Sequence, residues 1–263
     1  MESSGGRAAA SLLHVEHVAK HFGGVTALND YSLTLERGEL TGLIGPNGAG
    51  KTTAFNLISG VIKPTSGEIY FRGKEITRQK PDKNAKLGIT RTFQNIRLFE
   101  NLTVFDNIKI ALHMRHGTGL FPTVLHFPGH IRSEKHIIEK AQEIMELLDI
   151  WKFRGEISSN LSYGDQRRVE IARALATDPV LLLLDEPAAG LNPNETADMM
   201  KLISRIHKEH ELTIMLVEHD MKVIMGICKR IQVLDQGSLI ADGAPEEIKQ
   251  DEKVIQAYLG AGT

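Results

Sequence analysis

The sequence predicts an α/β fold built on a mainly parallel sheet, and three observations predict it. Residues 40–44, 180–184 and 212–217 are short, nearly unbroken apolar runs, the pattern of strands buried on both faces of a parallel sheet. The first two are followed by turn-forming residues and then by stretches with helical apolar spacing. Between about residues 97 and 160 the spacing is helical throughout, which reads as a helical insertion in the α/β domain.

The elements follow in order. Residues 12–18 carry Leu13, Val15 and Val18 interrupted by His and Glu, an edge-like strand. Residues 31–35 alternate apolar and polar, a half-buried strand of an antiparallel β part. Arg37-Gly38-Glu39 turns the chain into the run 40–44, which ends at Gly45. Residues 52–59 read as a helix with Phe55, Leu57 and Ile58 apolar and Gly60 placed to end it. Pro64-Thr65-Ser66-Gly67 is a turn before a strand at 68–71.

In the insertion, Ile137, Ile138, Ala141, Ile144, Met145 and Leu148 fall on one helical face, with Ser133 the expected start. Residues 117–129 read as a loop carrying Leu120, Phe121, Val124, Leu125 and Phe127, either a partner surface or a segment folded back on its own helices. A metal at its histidines with His113 and His116 is not expected, because the spacing is irregular and no cysteine is near. Asn192-Pro193-Asn194-Glu195 opens a helix: Asn caps it, Pro takes the first helical position and Glu reaches back. Met199, Leu202, Ile203 and Ile206 mark its buried face. Residues 231–234 and 238–241 flank Gln236-Gly237 as a hairpin, and 254–259 form a terminal helix closed by Gly260.

Composition sets the function classes. The 263 residues are 41% hydrophobic and 24% charged, an ordinary globular balance that builds a core without staples. Lys plus Arg is 31 against 33 for Asp plus Glu, a net charge of -2, so no nucleic-acid partner is expected. The single cysteine, Cys228, excludes an intrachain disulfide and suits a reducing compartment. No apolar run approaches the roughly 20 residues of a membrane span, and residues 1–10, rich in Gly, Ala and Ser, read as a disordered tail without signal-peptide features.

Two segments carry chemistry. Gly45-Pro46-Asn47-Gly48-Ala49-Gly50-Lys51-Thr52, followed by Thr53, fits the pattern G-x-x-x-x-G-K-[ST] between a strand and a helix. Glycines let the backbone N–H groups wrap a phosphate, the helix start adds its positive end, Lys51 reaches the outer phosphates and the Thr52 hydroxyl suits Mg²⁺. The apolar strand 181–184 then delivers Asp185 and Glu186 at its carboxyl end, where α/β ligands bind. Asp185 suits Mg²⁺ held through water, and Glu186 suits a base that polarises water for attack on the γ-phosphate. The fold expected is thus a P-loop NTPase (RecA-like) core.

Leu161-Ser162-Tyr163-Gly164-Asp165-Gln166 resembles the LSGGQ signature of ABC-transporter ATPases. The order of phosphate loop, Gln94, signature, Asp185-Glu186 and His219 spans nearly the whole chain. The resemblance implies one cassette over 1–263: antiparallel β part and start of the core at 12–96, helical part with the signature at 97–165, the rest of the core at 166–241 and a helical tail at 242–263. It implies Phe22 as the platform under adenine, a role that base stacking on aromatic rings supports. It implies Gln94 at Mg²⁺ or the attacking water, and His219 as a hydrogen-bond donor to the γ-phosphate. Ser162 and Gly164 would bind the triphosphate held by a second subunit, identical or related, and residues 189–192 would cross between the two. Permease subunits, an extracytoplasmic binding protein and a place on the cytoplasmic face of the inner membrane are implied as well.

The segments Asp185–Pro193, Glu218-His219-Asp220-Met221 and Val254–Gly260 are similar to the ATPase subunits of branched-chain amino-acid importers. Urea or amide importers and lipopolysaccharide exporters are near relatives. Non-transport ABC ATPases fit less well, because the chain has one cassette and no long heptad segment. Two residues depart from the family pattern: Asp165 stands where Gln or Glu is usual, and Asn192 replaces the usual Asp of the crossing loop.

Overall fold

The computed structural model of the chain describes residues 11–116 and 128–260; the expectations for the tail and for loop positions 117–127 lie outside the described residues. A six-stranded sheet runs through the centre in the order β10-β9-β3-β8-β7-β6, with β3 at Leu40–Ile44, β6 at Ile89–Arg91, β7 at Leu181–Asp185, β8 at Thr213–Val217, β9 at Arg230–Asp235 and β10 at Ser238–Gly243. All neighbours in it pair parallel except β9 and β10, which form the terminal antiparallel hairpin. Every residue of β3, β7 and β8 is buried, as their apolar runs require.

The period of two along these strands divides the core between the two sheet faces. Leu182, Leu184, Ile214 and Leu216 face one apolar cluster; Leu181, Leu183, Met215 and Val217 face the other. The second cluster is closed by α1 (Lys51–Ile58) and by a four-stranded antiparallel sheet, β2-β1-β4-β5. Its strands are β1 (Leu13–Phe22), β2 (Val25–Leu35), β4 (Ser66–Phe71) and β5 (Lys74–Glu75). The strands β1 and β2 extend well past 12–18 and 31–35. The pairing is irregular between Val15 and Val18, where His17 has a φ of 49°, so the alternation breaks while the strand continues through a bulge.

The first cluster is covered by α3 (Val104–His116), α4 (Pro128–Leu147), α5 (Tyr163–Leu175) and α6 (Pro193–His210). Helix α4 starts at Pro128, not at Ser133, so Pro128 and Gly129 are helical rather than loop; proline is well suited to a first helical turn. Ile137, Ala141, Ile144, Met145 and Leu148 are buried, but Ile138 is 42% exposed. It sits about 100° round the helix from Ile137 and leaves the buried stripe. Helix α5 begins at Tyr163, so a boundary at 165 falls inside it.

Helix α6 opens on the capping box its sequence announces. The Asn192 side chain accepts from the N–H groups of Asn194 and Glu195 at 3.0 Å, and Glu195 accepts from Asn192 N–H at 2.9 Å. Asn and Asp cap about equally well, so the amide at 192 keeps this structural duty. Three short helices carry no apolar periodicity strong enough to mark them: α2 (Pro81–Leu87), α7 (Met221–Ile227) and α8 (Pro245–Gln250). The chain closes with α9 (Glu252–Gly260). No described helix is long and apolar enough to cross a membrane.

Candidate nucleotide-binding site

The loop 45–50 leaves the buried end of β3 and enters α1, and its backbone is fixed by what crowds it. A Cβ on Gly45 would stand 2.1 Å from the Leu234 carbonyl oxygen, and one on Gly50 2.7 Å from that of Ala27. Gly48 has open space, but its φ of 81° suits a residue without Cβ. The neighbouring backbone is tied in as well: Gly237 N–H donates to Ala49 O and Asn29 N–H to Gly237 O. The loop, Thr52 and Thr53, Ala27, Gln94 and Glu186 line one cleft of about 290 Å³.

Lys51 is 7% exposed, and its Nζ donates to the carbonyls of Gly45 at 2.6 Å and Pro46 at 2.9 Å. Burial holds its pKa below the usual lysine range, while the charges of Glu186 and Asp185 pull it back up. Two carboxylates thus act on one ammonium at the glycine loop, a setting that suits a polyanion with a cation.

The strand β7 carries Asp185 to the same end of the sheet, 4% exposed. Glu186 follows with a φ of 47°, a left-handed conformation that is strained for a residue with a side chain and recurs at functional sites. Its Oε2 accepts from Gln94 Nε2 at 3.1 Å and lies 3.9 Å from His219 Nδ1. Gln94, Glu186 and His219, 92 and more residues apart in part, therefore converge on one point beside the cleft. Glu218 is buried, accepts from Ala188 N–H at 2.9 Å, and has its pKa raised by that burial. It pins the start of the 189–192 loop.

Phe22 is half exposed at the end of β1, with Lys20 Nζ 4.9 Å from its ring centre. It sits on the β1–β2 hairpin whose Ala27 lines the cleft. Ser162 and Gly164 stand apart from the cleft lining, at the N-terminus of α5. Ser162 accepts from Asp165 N–H at 3.2 Å and donates to Asp165 Oδ2 at 2.7 Å. A Cβ on Gly164 would meet no atom closer than 3.6 Å, so packing within this chain does not require a glycine there. The hydrogen bond between Asp165 and Ser162 is local and exposed, so Asp165→Gln is expected to change ATP turnover by less than about fivefold; a phosphate-release assay checks it.

Two arginines belong to the site and were not singled out by the sequence. Arg91, on β6, pairs with Asp185 at 2.6 Å. Arg167, fully buried on α5, donates to the carbonyls of Phe93 at 2.8 Å and Gln94 at 2.7 Å and pairs with Glu170 at 2.7 Å. Glu170 in turn accepts from Phe93 N–H at 3.5 Å. The helix of the signature segment thus holds the backbone at Gln94 from both sides. Among the described residues no His, Cys, Asp and Glu cluster suits a transition-metal site.

The family model described as ABC transporter matches residues 28–189, more than half of the chain. The model described as branched-chain amino acid ATP-binding cassette transporter matches residues 238–263. The chain is 46% identical over 249 residues to the high-affinity branched-chain amino acid transport ATP-binding protein LivG of Salmonella typhimurium, covering 95% of this chain and 98% of that protein. It superposes on the ADP conformation of MJ1267, an ATP-binding cassette of an ABC transporter, with a TM-score of 0.82 at 30% identity, covering 95% of this chain and 99% of that one. A dimeric ADP- and Pi-bound structure of the cassette MJ0796 matches with a TM-score of 0.74 at 27% identity, covering 89% of this chain and 98% of that one. With the phosphate loop, the Asp185-Glu186 pair and the signature segment on one cassette fold, the chain belongs to the ABC-transporter family as an ATP-hydrolysing cassette.

Proposed function

We propose that this cassette powers the import of branched-chain, hydrophobic amino acids. The observation that carries the cargo is the match of the C-terminal segment 238–263 to the branched-chain model, a region outside the phosphate-binding machinery. The identity to LivG over nearly the whole chain supports the same reading.

In this reading the loop 45–50 with Lys51, Thr52 and Thr53 holds the phosphates, and Phe22 stacks under adenine. Glu186 takes the proton of the attacking water; its hydrogen bond with Gln94 and the nearness of His219 orient it toward the terminal phosphate. The Thr52 hydroxyl, Asp185 and the Gln94 amide oxygen form a hard oxygen donor set of the kind Mg²⁺ takes. Bound there, Mg²⁺ would offset phosphate charge.

Ser162, Gly164 and the N-terminus of α5 close over the triphosphate of a second cassette, identical or related. This fits Gly164, where a Cβ would meet only ordinary contacts with Leu191 and Glu195, so packing within the chain does not call for a glycine. Closure then follows nucleotide binding and opening follows hydrolysis. The joint between Arg167 and the Gln94 backbone ties the helical part to that cycle, and exposed Phe99, five residues on in sequence, offers a contact for permease subunits at the membrane's cytoplasmic face.

The test is uptake of labelled leucine, isoleucine and valine in cells lacking this gene and its redundant importers. Wild type is expected to restore uptake, and an excess of unlabelled leucine, but not urea, to compete. Restoration of urea or amide uptake instead would move the cargo to the related importers.

A further inference from the structure

The guanidinium of Arg91 sits where three parts of the site meet. Its Nη2 donates to Asp185 Oδ2 at 2.6 Å and its Nη1 to Asn56 Oδ1, on α1, at 2.5 Å. Both charged side chains are nearly closed off, 7% exposed for Arg91 and 5% for Asp185. The rings of Phe55 and Phe93 lie 5.5 Å from the guanidinium carbon, within cation–π range. The sheet register brings the pair together: Arg91 lies beside Leu183 across the parallel β6–β7 ladder, and Asp185 N–H donates to Thr92 Oγ1 at 3.3 Å.

This is more than charge neutralisation. A buried ion pair gives little net stability, because desolvation offsets attraction. What it supplies is geometry. The planar fork is anchored by Asn56 and by two rings, so it holds the one carboxylate oxygen it binds in a set position. Only one carboxylate oxygen is engaged, which leaves the other for a cation. Losing a group that orients a metal-binding ligand typically costs roughly 10–100-fold in metal affinity.

We propose that Arg91 is a positioning residue for the divalent-cation site: held by Asn56, it presents Asp185 to the metal that accompanies the nucleotide. This rests on the reading of Asp185 as the cation carboxylate, and it adds a residue on β6 to that site.

The probe is Mn²⁺, and the readout is its affinity for the cassette loaded with a non-hydrolysable ATP analogue, followed by the electron paramagnetic resonance signal of free Mn²⁺. Arg91→Gln is expected to weaken Mn²⁺ binding roughly tenfold, beyond any change in metal-free binding of the analogue measured in EDTA. Arg91→Lys keeps the charge but not the fork and should fall between the two. If Arg91→Gln does not fold by circular dichroism, Asn56→Ala decides, because it keeps the ion pair and frees one arm of the fork; a loss in the same direction is expected. Unchanged or tighter Mn²⁺ binding in folded Arg91→Gln or, failing that, in Asn56→Ala overturns the proposal. Asp185→Asn separates the two levels. If it keeps wild-type Mn²⁺ affinity, the assignment of Asp185 falls and the proposal with it; if it loses affinity while Arg91→Gln does not, only the role of Arg91 falls.

Discussion

Glu186→Gln is expected to bind ATP as wild type does and to release phosphate on the order of 10²–10⁴-fold more slowly, the contribution of a positioned general base. The substitution keeps shape and volume. The amide oxygen still accepts from Gln94 Nε2, whose bond to the carboxylate is 3.1 Å long. What is lost is the capacity to take a proton from water. The position is already strained, with a φ of 47° immediately before Pro187, so the backbone is held there by its surroundings rather than by preference. Glu186 N–H donates to Val217 O at 2.9 Å, tying that backbone to the neighbouring strand β8, which ends beside Glu218 and His219. Single-turnover phosphate release together with equilibrium nucleotide binding checks the expectation. Equal turnover in the variant and the wild type removes Glu186 from the reaction.

The second large effect is on binding. Lys51→Ala is expected to weaken nucleotide binding on the order of a hundredfold, about 3 kcal/mol, the worth of charge-assisted bonds to phosphate in a partly desolvated site. The ammonium donates to the Gly45 and Pro46 carbonyls of its own loop, which holds it at the cleft. Phosphate oxygens are stronger acceptors than carbonyls, because the bond is then charged on both sides. The alanine variant should fold, since the loop is also held by the Gly237–Ala49 and Asn29–Gly237 backbone bonds. Titration with a fluorescent ATP analogue checks it. Affinity within about threefold of wild type, below 1 kcal/mol, would mean that Lys51 does not touch the phosphates.

The parts of this site that were legible are those whose chemistry is written in adjacent residues. The phosphate loop is a contiguous pattern between a strand and a helix, and the structure places Gly45 and Gly50 where a Cβ would strike backbone oxygens. Asp185 and Glu186 follow an apolar run whose length and burial fix where it ends. The cap at Asn192 is a four-residue signal, and it forms as written. Arg91 carries no such mark. It ends a strand only three residues long, and nothing local distinguishes it from Arg97 or Arg72; only the β6–β7 register brings it to Asp185. Arg167 and Arg168 are neighbours in a helix of mixed polarity, yet the first is fully buried against the Gln94 backbone and the second is 21% exposed. Their difference lies in the helix's orientation, which depends on packing from distant segments. The start of α4 at Pro128 and the exposure of Ile138 have local reasons instead, a proline suited to a first helical turn and a position about 100° round the helix from Ile137.

In the proposed cycle the catalytic site is finished by a second cassette, with the Ser162–Gly164 segment closing on the neighbour's triphosphate. The mass in solution of the Glu186→Gln cassette, alone and mixed with a related cassette encoded beside it, followed by light scattering with ATP or ADP, tests this. ATP, and not ADP, is expected to convert a species of one chain, 29.1 kDa, into one of two cassettes, and Ser162→Arg is expected to prevent it. Stoichiometric ATP bound to a species that keeps the mass of one cassette in both mixtures would contradict it.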